Sequence, residues 1–162
     1  MFKIKLLILS LTSSFLISCA INNQNDNKTK FSVNYIGGEF DGLVLKNYVI
    51  NHLRSLKMYD ENSNYAIELS ISHSTDLYVT NIDNTSDREN ISSTLSSTIT
   101  NEDKDCTIYG NEFRVSQFYI FAPSSKLLSN QRAIKKIKKD NTESLVKNFI
   151  NKIKRISLDC SE

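Results

Sequence analysis

Two segments with strict alternation of apolar and polar residues constrain the fold of this chain more than any other feature. Residues 65–73 read YAIELSISH and residues 91–99 read ISSTLSSTI, so apolar side chains recur at every second or fourth position. Successive side chains of a β-strand point to opposite faces of a sheet, which gives this period of two. Both segments therefore predict long strands in a sheet with one buried face and one polar face.

Shorter patterns predict two further strands. Residues 31–35 alternate in the same way, and a pair of glycines ends this segment. Residues 106–121 are strand-like, and Gly110 predicts a bulge within them. Residues 77–79 could extend the strand at 65–73 after a bend.

Two amphipathic helices complete the predicted elements. Apolar residues spaced three and four apart predict helices at about 40–58 and 130–156. Residues 140–143 could interrupt the second helix, because Asp, Asn and Thr prefer helix caps. The order β-α-β-β-β-α predicts an α+β fold, a two-layer sandwich in which two helices cover one face of a four-stranded, mostly antiparallel sheet.

The first eighteen residues have the pattern of a bacterial export signal. Lys3 and Lys5 precede an apolar run at 6–17, which is shorter than the roughly 20 residues that a membrane-spanning helix needs. The sequence Leu-Ile-Ser-Cys19 then resembles the bacterial lipobox, which implies cleavage before Cys19 and a diacylglycerol on its sulfur. The alternative is an ordinary signal peptide followed by an incidental cysteine.

This pattern divides the chain into four parts. Residues 1–18 are the predicted lipoprotein signal peptide, and 19–30 are a lipidated N-terminus with a polar tether. Residues 31–158 form a single predicted domain, and 159–162 a C-terminal tail. Ala20 stands where an Asp would favour retention in the inner membrane, so we expect an outer-membrane lipoprotein on the periplasmic side.

Two cysteines remain in the mature chain, Cys106 and Cys160. An exported protein folds in an oxidising compartment, where a disulfide between them is an option. The alternative is two free thiols, one packed in the domain and one in the tail.

Charge is distributed unevenly along the chain. Residues 126–155 hold ten basic and two acidic residues, although the whole chain has 20 Lys and Arg against 18 Asp and Glu. This asymmetry suggests an anionic partner for the second helix, such as a lipid phosphate, an anionic membrane or an acidic protein wall. The alternative is a solvated helix face. The candidate binding residues are Arg132, Lys135, Lys136, Lys138 and Lys139.

Motifs of catalysis or metal binding are missing from the sequence. His52 and His73 have no neighbour at metal-ligand spacing, and Cys106 lies in no nucleophile motif. We therefore expect no enzymatic activity, no metal, no cofactor and no nucleic-acid partner, and we expect both histidines to be structural.

Three segments together resemble the LPS-assembly lipoprotein (LptE) family, most of all its alphaproteobacterial type. Residues 65–72 are similar to the second strand of the family, and Asp87-Arg88 stands before a Ser/Thr-rich strand where the family has Thr-Arg. Residues 106–110 begin a strand to Tyr119 that is followed by a long C-terminal helix, as in the family. The usual Thr, and the aromatic-Pro segment after the lipidated cysteine, are absent.

The resemblance implies a partner and a role. Members of this family plug the lumen of the outer-membrane β-barrel LPS-assembly protein (LptD), assist its assembly and bind LPS during delivery. The polar residues between 92 and 100 would suit a barrel lumen, or would simply form the solvent-exposed face of a sheet. A different class of function stays open, namely an auxiliary lipoprotein of an envelope lipid-transport ABC system or a periplasmic regulator of cell-wall synthesis.

Overall fold

The structure, a computed structural model, describes residues 28–78, 88–120 and 127–160. The predicted signal peptide and residues 19–27 of the tether lie outside the described residues. The elements follow the predicted order: β1 (Ser32–Gly37), α1 (Glu39–Ser55), β2 (Tyr65–Tyr78), β3 (Arg88–Asn101), β4 (Cys106–Ile120) and α2 (Leu127–Ile153).

The four strands form one sheet in the order β1-β2-β3-β4. β1 and β2 are parallel because α1 connects them, which brings the chain back to the same end of the sheet. The pairs β2-β3 and β3-β4 are antiparallel. The prediction of an α+β fold with a four-stranded, mostly antiparallel sheet and two helices is therefore confirmed.

Register assigns each side chain to one face of the sheet. Ile67 lies opposite Ile99 and Ile71 opposite Leu95, which places the apolar residues of both alternating segments on a single face. Both helices pack on that face, α1 against β1 and β2, and α2 against β3 and β4. The fully buried core side chains with the largest volumes include Phe31, Phe149, Leu45, Leu53, Ile67, Leu69, Ile91, Leu95, Ile99 and Leu145.

Both ends of α1 depend on backbone conformation rather than on capping side chains. Gly38 precedes the helix with a φ of 114° and no side-chain cap. At the other end Lys57 adopts a φ of 59°. The amide of Lys57 donates to the carbonyl of Arg54, and that of Met58 donates to the carbonyl of Leu53 at 2.8 Å. This pair of bonds is a Schellman motif, and it ends the helix at Ser55 rather than at the predicted residue 58.

The second helix is continuous through residues 140–143, where we predicted that it could break. Asn141 turns its side chain into the sheet, and the Thr142 hydroxyl donates to the Lys138 carbonyl at 2.8 Å. The Ser144 hydroxyl likewise donates to the Asp140 carbonyl. Both hydroxyls share carbonyls of the preceding turn with helical amides, and Asn141 bonds to the sheet, so the helix continues through this segment.

The strands also differ from prediction in two places. β2 runs without a bend to Tyr78, because each of its residues pairs with β3. The register of β3 and β4 shifts between Ile99 and Thr100, which leaves Ile108 as the additional residue. The bulge therefore lies two residues before Gly110, the predicted position. A Cβ at Gly110 would meet no atom within 4 Å, so packing does not require a glycine there.

Contacts extend the domain slightly beyond the predicted limits of 31–158. The Lys30 ammonium lies 3.2 Å from an Asp60 carboxylate oxygen, and the Lys30 carbonyl accepts a hydrogen bond from Ser63. At the other end, Cys160 is bonded to Cys106. Residues that we assigned to the tether and to the C-terminal tail are thus attached to the body of the domain.

Candidate functional site: the distal arm

Strands of unequal length leave part of the sheet projecting beyond β1. β1 ends where Gly37 faces Ser70, but β2 continues for eight more residues. We call residues 72–78, 88–94 and 114–120 the distal arm, because they lie at the end of the sheet opposite the entry of the chain at Lys28. The first half of α2 covers the helix-facing side of this arm, as the contact between Gln117 and Asn141 shows.

The second face of the sheet is open and rich in hydroxyl groups. Both helices pack on the other side, and Ser70, Ser72 and Ser74 are exposed to solvent. The neighbouring side chains on β3 are partly or fully buried. Glu68, Glu112 and Arg114 project from the same face, so it is polar and carries charges of both signs. The hydroxyl residues on this open face are Ser70, Ser72, Ser74, Ser92, Thr94, Ser96, Thr98, Thr100 and Ser116.

Apolar side chains are exposed at the end of the distal arm. Leu77, Phe118, Ile120 and Leu128 each retain between 63% and 69% of their surface in solvent. Single exposed apolar residues are common in soluble domains. These four come from β2, β4 and α2 at one end of the domain, so we name them the apolar tip and consider them a candidate contact surface.

The predicted anion-binding residues divide into two groups on α2. Arg132, Lys135 and Lys139 are exposed and spaced three and four apart, so they lie on one face of the helix. Within the described parts of the chain none of the three has an ion-pair partner. Leu128 begins the same row one turn earlier. We call these three cations the basic stripe.

The other two predicted residues are engaged elsewhere. The Lys136 ammonium lies 2.8 Å from an Asp140 carboxylate oxygen, and this hydrogen bond raises the pKa of Lys136 above its ordinary value. Lys138 is half-buried and close enough to His73 to influence its protonation. The structure thus brings Arg132, Lys135 and Lys139 together and separates Lys136 and Lys138 from them.

A buried hydrogen-bond network joins α2 to the sheet at the base of the distal arm. The Asn141 amide nitrogen donates to the Ser93 hydroxyl at 3.0 Å and to the Ile91 carbonyl at 3.2 Å. The Asn141 carbonyl oxygen accepts from Gln117 at 2.8 Å. The ring nitrogen Nδ1 of His73 lies 2.7 Å from the Ser93 hydroxyl. Each polar group of Asn141 is therefore satisfied in the interior.

The surroundings of His73 favour its neutral form. The side chain is only 3% exposed, and burial lowers the pKa of His73 below its ordinary value of 6.5. The Asp41 carboxylate, 3.7 Å from Nε2, opposes this shift, and Lys138 adds to it. The direction of the hydrogen bond between Nδ1 and the Ser93 hydroxyl depends on the tautomer of His73.

Asp41, His73 and Ser93 stand in the order of a catalytic triad, but His73 and Ser93 are buried. Ser93 is fully buried, so its oxygen lies out of reach of a substrate in this structure. His52, the second histidine, contacts the Tyr48 carbonyl one turn earlier in α1. Across residues 28–78, 88–120 and 127–160, no group of three or more His, Cys, Asp or Glu side chains could hold a metal ion. The absence of enzymatic activity remains a prediction.

Cys106 and Cys160 form a disulfide, with Cα atoms 6.1 Å apart. Cys106 begins β4 and Cys160 follows α2, so the bond attaches the end of the chain to the sheet at the end opposite the distal arm. Our sequence analysis left both pairing and free thiols open, because a separation of 54 residues carries no information about distance in space.

Sequence reasoning missed the network around Asn141. One signal was present: Ser93 and Ser97 occupy apolar positions of an alternating strand, so their hydroxyl groups require partners in the interior. The partner of Ser93 could not be identified from the sequence, because Asn141 lies 48 residues away from Ser93.

Solved structures of several bacterial lipoproteins share this fold. Rare lipoprotein B from Shewanella oneidensis aligns with a TM-score of 0.65 at 11% identity, over 78% of this chain and 94% of its own. A minor lipoprotein from Acinetobacter baumannii aligns with a TM-score of 0.60 at 13% identity, over 83% of this chain and 96% of its own. Lipoprotein B from Nitrosomonas europaea aligns with a TM-score of 0.57 at 12% identity, over 77% of this chain and 83% of its own.

These similarities are of fold, since identities near 12% say little about shared chemistry. No protein-family model matches the sequence, and no curated protein matches it. Among the helices of the described residues, none combines the length and apolar character needed to cross a membrane.

Proposed function

We propose that this chain is a lipid-anchored outer-membrane protein, facing the periplasm, that partners and plugs the LPS-assembly β-barrel and assists LPS delivery. The anchor is proposed at Cys19, on the basis of the lipobox-like sequence Leu-Ile-Ser-Cys. The shared fold with lipoproteins of three other bacteria supports such an anchor. A diacylglycerol supplies two acyl chains, and stable anchoring needs at least two.

The observation that carries the barrel proposal is the open face of the sheet. Outer-membrane barrels have polar interiors, and a face rich in small hydroxyl groups can make many hydrogen bonds to such a wall, where Glu68, Glu112 and Arg114 of the same face also find polar partners. This face extends over β2, β3 and β4 and reaches the distal arm, whereas the helices protect the apolar face. A domain anchored at one end could thus insert the other end into a lumen.

The basic stripe supports the proposed contact with LPS. LPS carries phosphate groups, and Arg and Lys bind phosphates through charge-assisted hydrogen bonds. Arg132, Lys135 and Lys139 lie on one exposed helix face close to Leu128 of the apolar tip. Adjacent cations and apolar side chains are complementary to an acylated phosphosugar.

The test is a pull-down from detergent-solubilised outer membranes with the full lipidated protein as bait. A single large barrel protein near one-to-one stoichiometry, retained at high salt, is the expected result. Replacement of Thr94 and Thr98 by Arg places bulk and charge on the open face and should abolish retention. The matched control replaces Lys46 and Lys147, which are exposed on the helix layer, by Glu.

Other outcomes would reject the proposal. Capture of inner-membrane ABC transporter subunits or a cell-wall synthase, without a barrel, would indicate the alternative class of function. Retention of the barrel by the Thr94→Arg/Thr98→Arg variant would show that the open face is not the contact surface.

A further inference from the structure

A half-open cavity of about 420 Å³ lies at the proximal end of the domain, where the chain enters at Lys28. Its volume is within the range of small-molecule sites. Phe31, Met58 and Ile153 form its floor and belong to the buried core. Half-buried side chains form its walls. The apolar lining residues are Phe31, Leu56, Met58, Ile153, Ile156 and Leu158.

The ionisable residues that line this cavity carry positive charge. Lys28 and Lys154 lie at its rim together with Thr29, and the described lining contains no carboxylate. Lys152 and Arg155 flank Lys154 at the exposed end of α2. An apolar hollow with cations at its opening is complementary to an amphiphile that has an acyl chain and an anionic head group.

The disulfide fixes one wall of the cavity. Ile156 and Leu158 belong to the segment after α2, which has no regular secondary structure of its own. Cys160 ties this segment to Cys106 in β4. The disulfide therefore restrains the segment that forms this wall.

The position of the cavity relates it to the membrane. Lys28 and Thr29 line the cavity and also mark the point where the N-terminal segment joins the domain. Lys28 lies nine positions after Cys19, and nine residue-to-residue steps of extended chain span at most about 32 Å. With the anchor at Cys19, on which this step rests, the opening stays within that distance of the lipid surface.

We propose that this cavity binds one acyl chain of an anionic membrane phospholipid, whose phosphate contacts Lys154. This site lies at the end of the domain opposite the basic stripe and the apolar tip, and it needs no barrel partner. Phospholipid in the cavity would hold the base of the domain at the membrane surface.

The experiment uses the full lipidated protein in vesicles of phosphatidylethanolamine that contain phosphatidylglycerol with a photoactivatable group in one acyl chain. After illumination, cross-linked peptides are identified by mass spectrometry. We expect labels within residues 56–58 and 153–158. Lys154→Glu should reduce this labelling about fivefold or more, since it reverses a charge at the phosphate. Leu158→Glu should reduce it to a similar extent by placing a carboxylate in the hollow.

Lys46→Glu provides the control, because Lys46 is an exposed lysine of α1 that does not line the cavity. Circular dichroism at increasing temperature checks that each variant is folded. Equal labelling of Lys154→Glu and Lys46→Glu, or labels confined to residues 114–120, would overturn the proposal. Labelling that rises in Cys19→Ser protein, with the vesicles unchanged, would show that the protein's own acyl chains occupy the cavity, which also overturns it. The barrel pull-down is independent of each of these results.

Discussion

Asn141, in the middle of α2, donates a hydrogen bond to the hydroxyl of Ser93 on β3 at 3.0 Å. Both side chains are fully buried, and the bond joins the helix layer to the sheet at the base of the distal arm. The same Asn141 accepts a hydrogen bond from Gln117 on β4. One side chain therefore determines how α2 lies across two strands.

Replacement of Asn141 by Ala should lower the free energy of unfolding by about 2–3 kcal/mol, because buried partners on Ser93 and Gln117 lose their hydrogen bonds. Urea unfolding followed by circular dichroism measures this difference. Asn148 is exposed on the same helix, and Asn148→Ala should change the free energy by less than about 0.5 kcal/mol. Equal effects of the two substitutions would show that the network contributes nothing to stability.

The stability of the protein should depend on pH through His73. Burial holds the pKa of His73 below 6.5 in the folded state, so between these two values the unfolded chain binds more protons than the folded one. The contribution of neutral His73 to the free energy of unfolding is therefore fully present above about pH 6.5, and it is lost as the pH falls toward the folded-state pKa. Urea titrations from pH 7.5 to 5 measure the slope.

The comparison for this prediction is His73→Gln, which removes the titrating group. Its stability should vary less with pH between 6.5 and 5 than that of the unaltered protein, even though its stability at pH 7.5 is lower. Parallel pH profiles for the two proteins would contradict the assignment of the effect to His73.

Loss of the disulfide should destabilise the domain. The bond closes a loop between residues 54 positions apart, and such bonds stabilise folded proteins by about 2–4 kcal/mol. The double variant Cys106→Ser/Cys160→Ser tests this by thermal unfolding under non-reducing conditions. Addition of a reductant should destabilise the original protein to the same extent and leave the double variant unchanged. If reductant also destabilised the double variant, the loss of stability caused by reductant could not be assigned to this disulfide.

Binding of LPS should depend on the basic stripe and not on charge in general. Two cations at an anionic surface contribute about 2 kcal/mol, so Lys135→Gln/Lys139→Gln should weaken binding to LPS roughly 30-fold at low salt. Lys46→Gln/Lys104→Gln removes the same charge from exposed sites outside the stripe and should have little effect. Isothermal titration with purified LPS measures both. Equal losses in both double variants would mean that only net charge matters.

Gly38 and Gly110 should differ in their tolerance of a side chain. Gly38 has a φ of +114°, and a Cβ there would lie 2.7 Å from the Ile71 carbonyl oxygen. Gly38→Ala should therefore cost at least about 1–3 kcal/mol. Gly110→Ala meets no atom within 4 Å and should be neutral or slightly stabilising. The unfolding temperatures of the two variants measure this difference, and equal midpoints would contradict the prediction.

The fold could be predicted from the sequence because its signals are local. The alternation at 65–73 and 91–99 identified both central strands and their buried faces, and register in the structure agrees. Element ends were less well predicted, since α1 ends through a Schellman motif at Lys57, a residue with no sequence signature for that conformation. The bulge was misplaced because Gly110 only permits one, whereas pairing with β3 selects Ile108.

The candidate site was predicted in part. The excess of positive charge on the second helix was visible in the sequence, as was Cys19. The five predicted cations of α2 divide into two groups. Lys136 pairs with Asp140 and Lys138 lies near His73, which leaves the basic stripe of Arg132, Lys135 and Lys139. The Lys136–Asp140 pair lies within α2 at a spacing of four residues, whereas the proximity of Lys138 to His73 joins two elements and is visible only in the packed structure.

The sequence by itself determined the order of strands and helices and which face of each is apolar, because these depend on periods of two and 3.6 residues along a single segment. It also contained the lipobox-like signal, which is a contiguous pattern. Only the tertiary structure decided that Cys106 meets Cys160, that Asn141 joins α2 to the sheet, and that Lys28 and Lys154 border one cavity. These are contacts between distant parts of the chain, and they form only when the helices pack against the sheet and bury its apolar face.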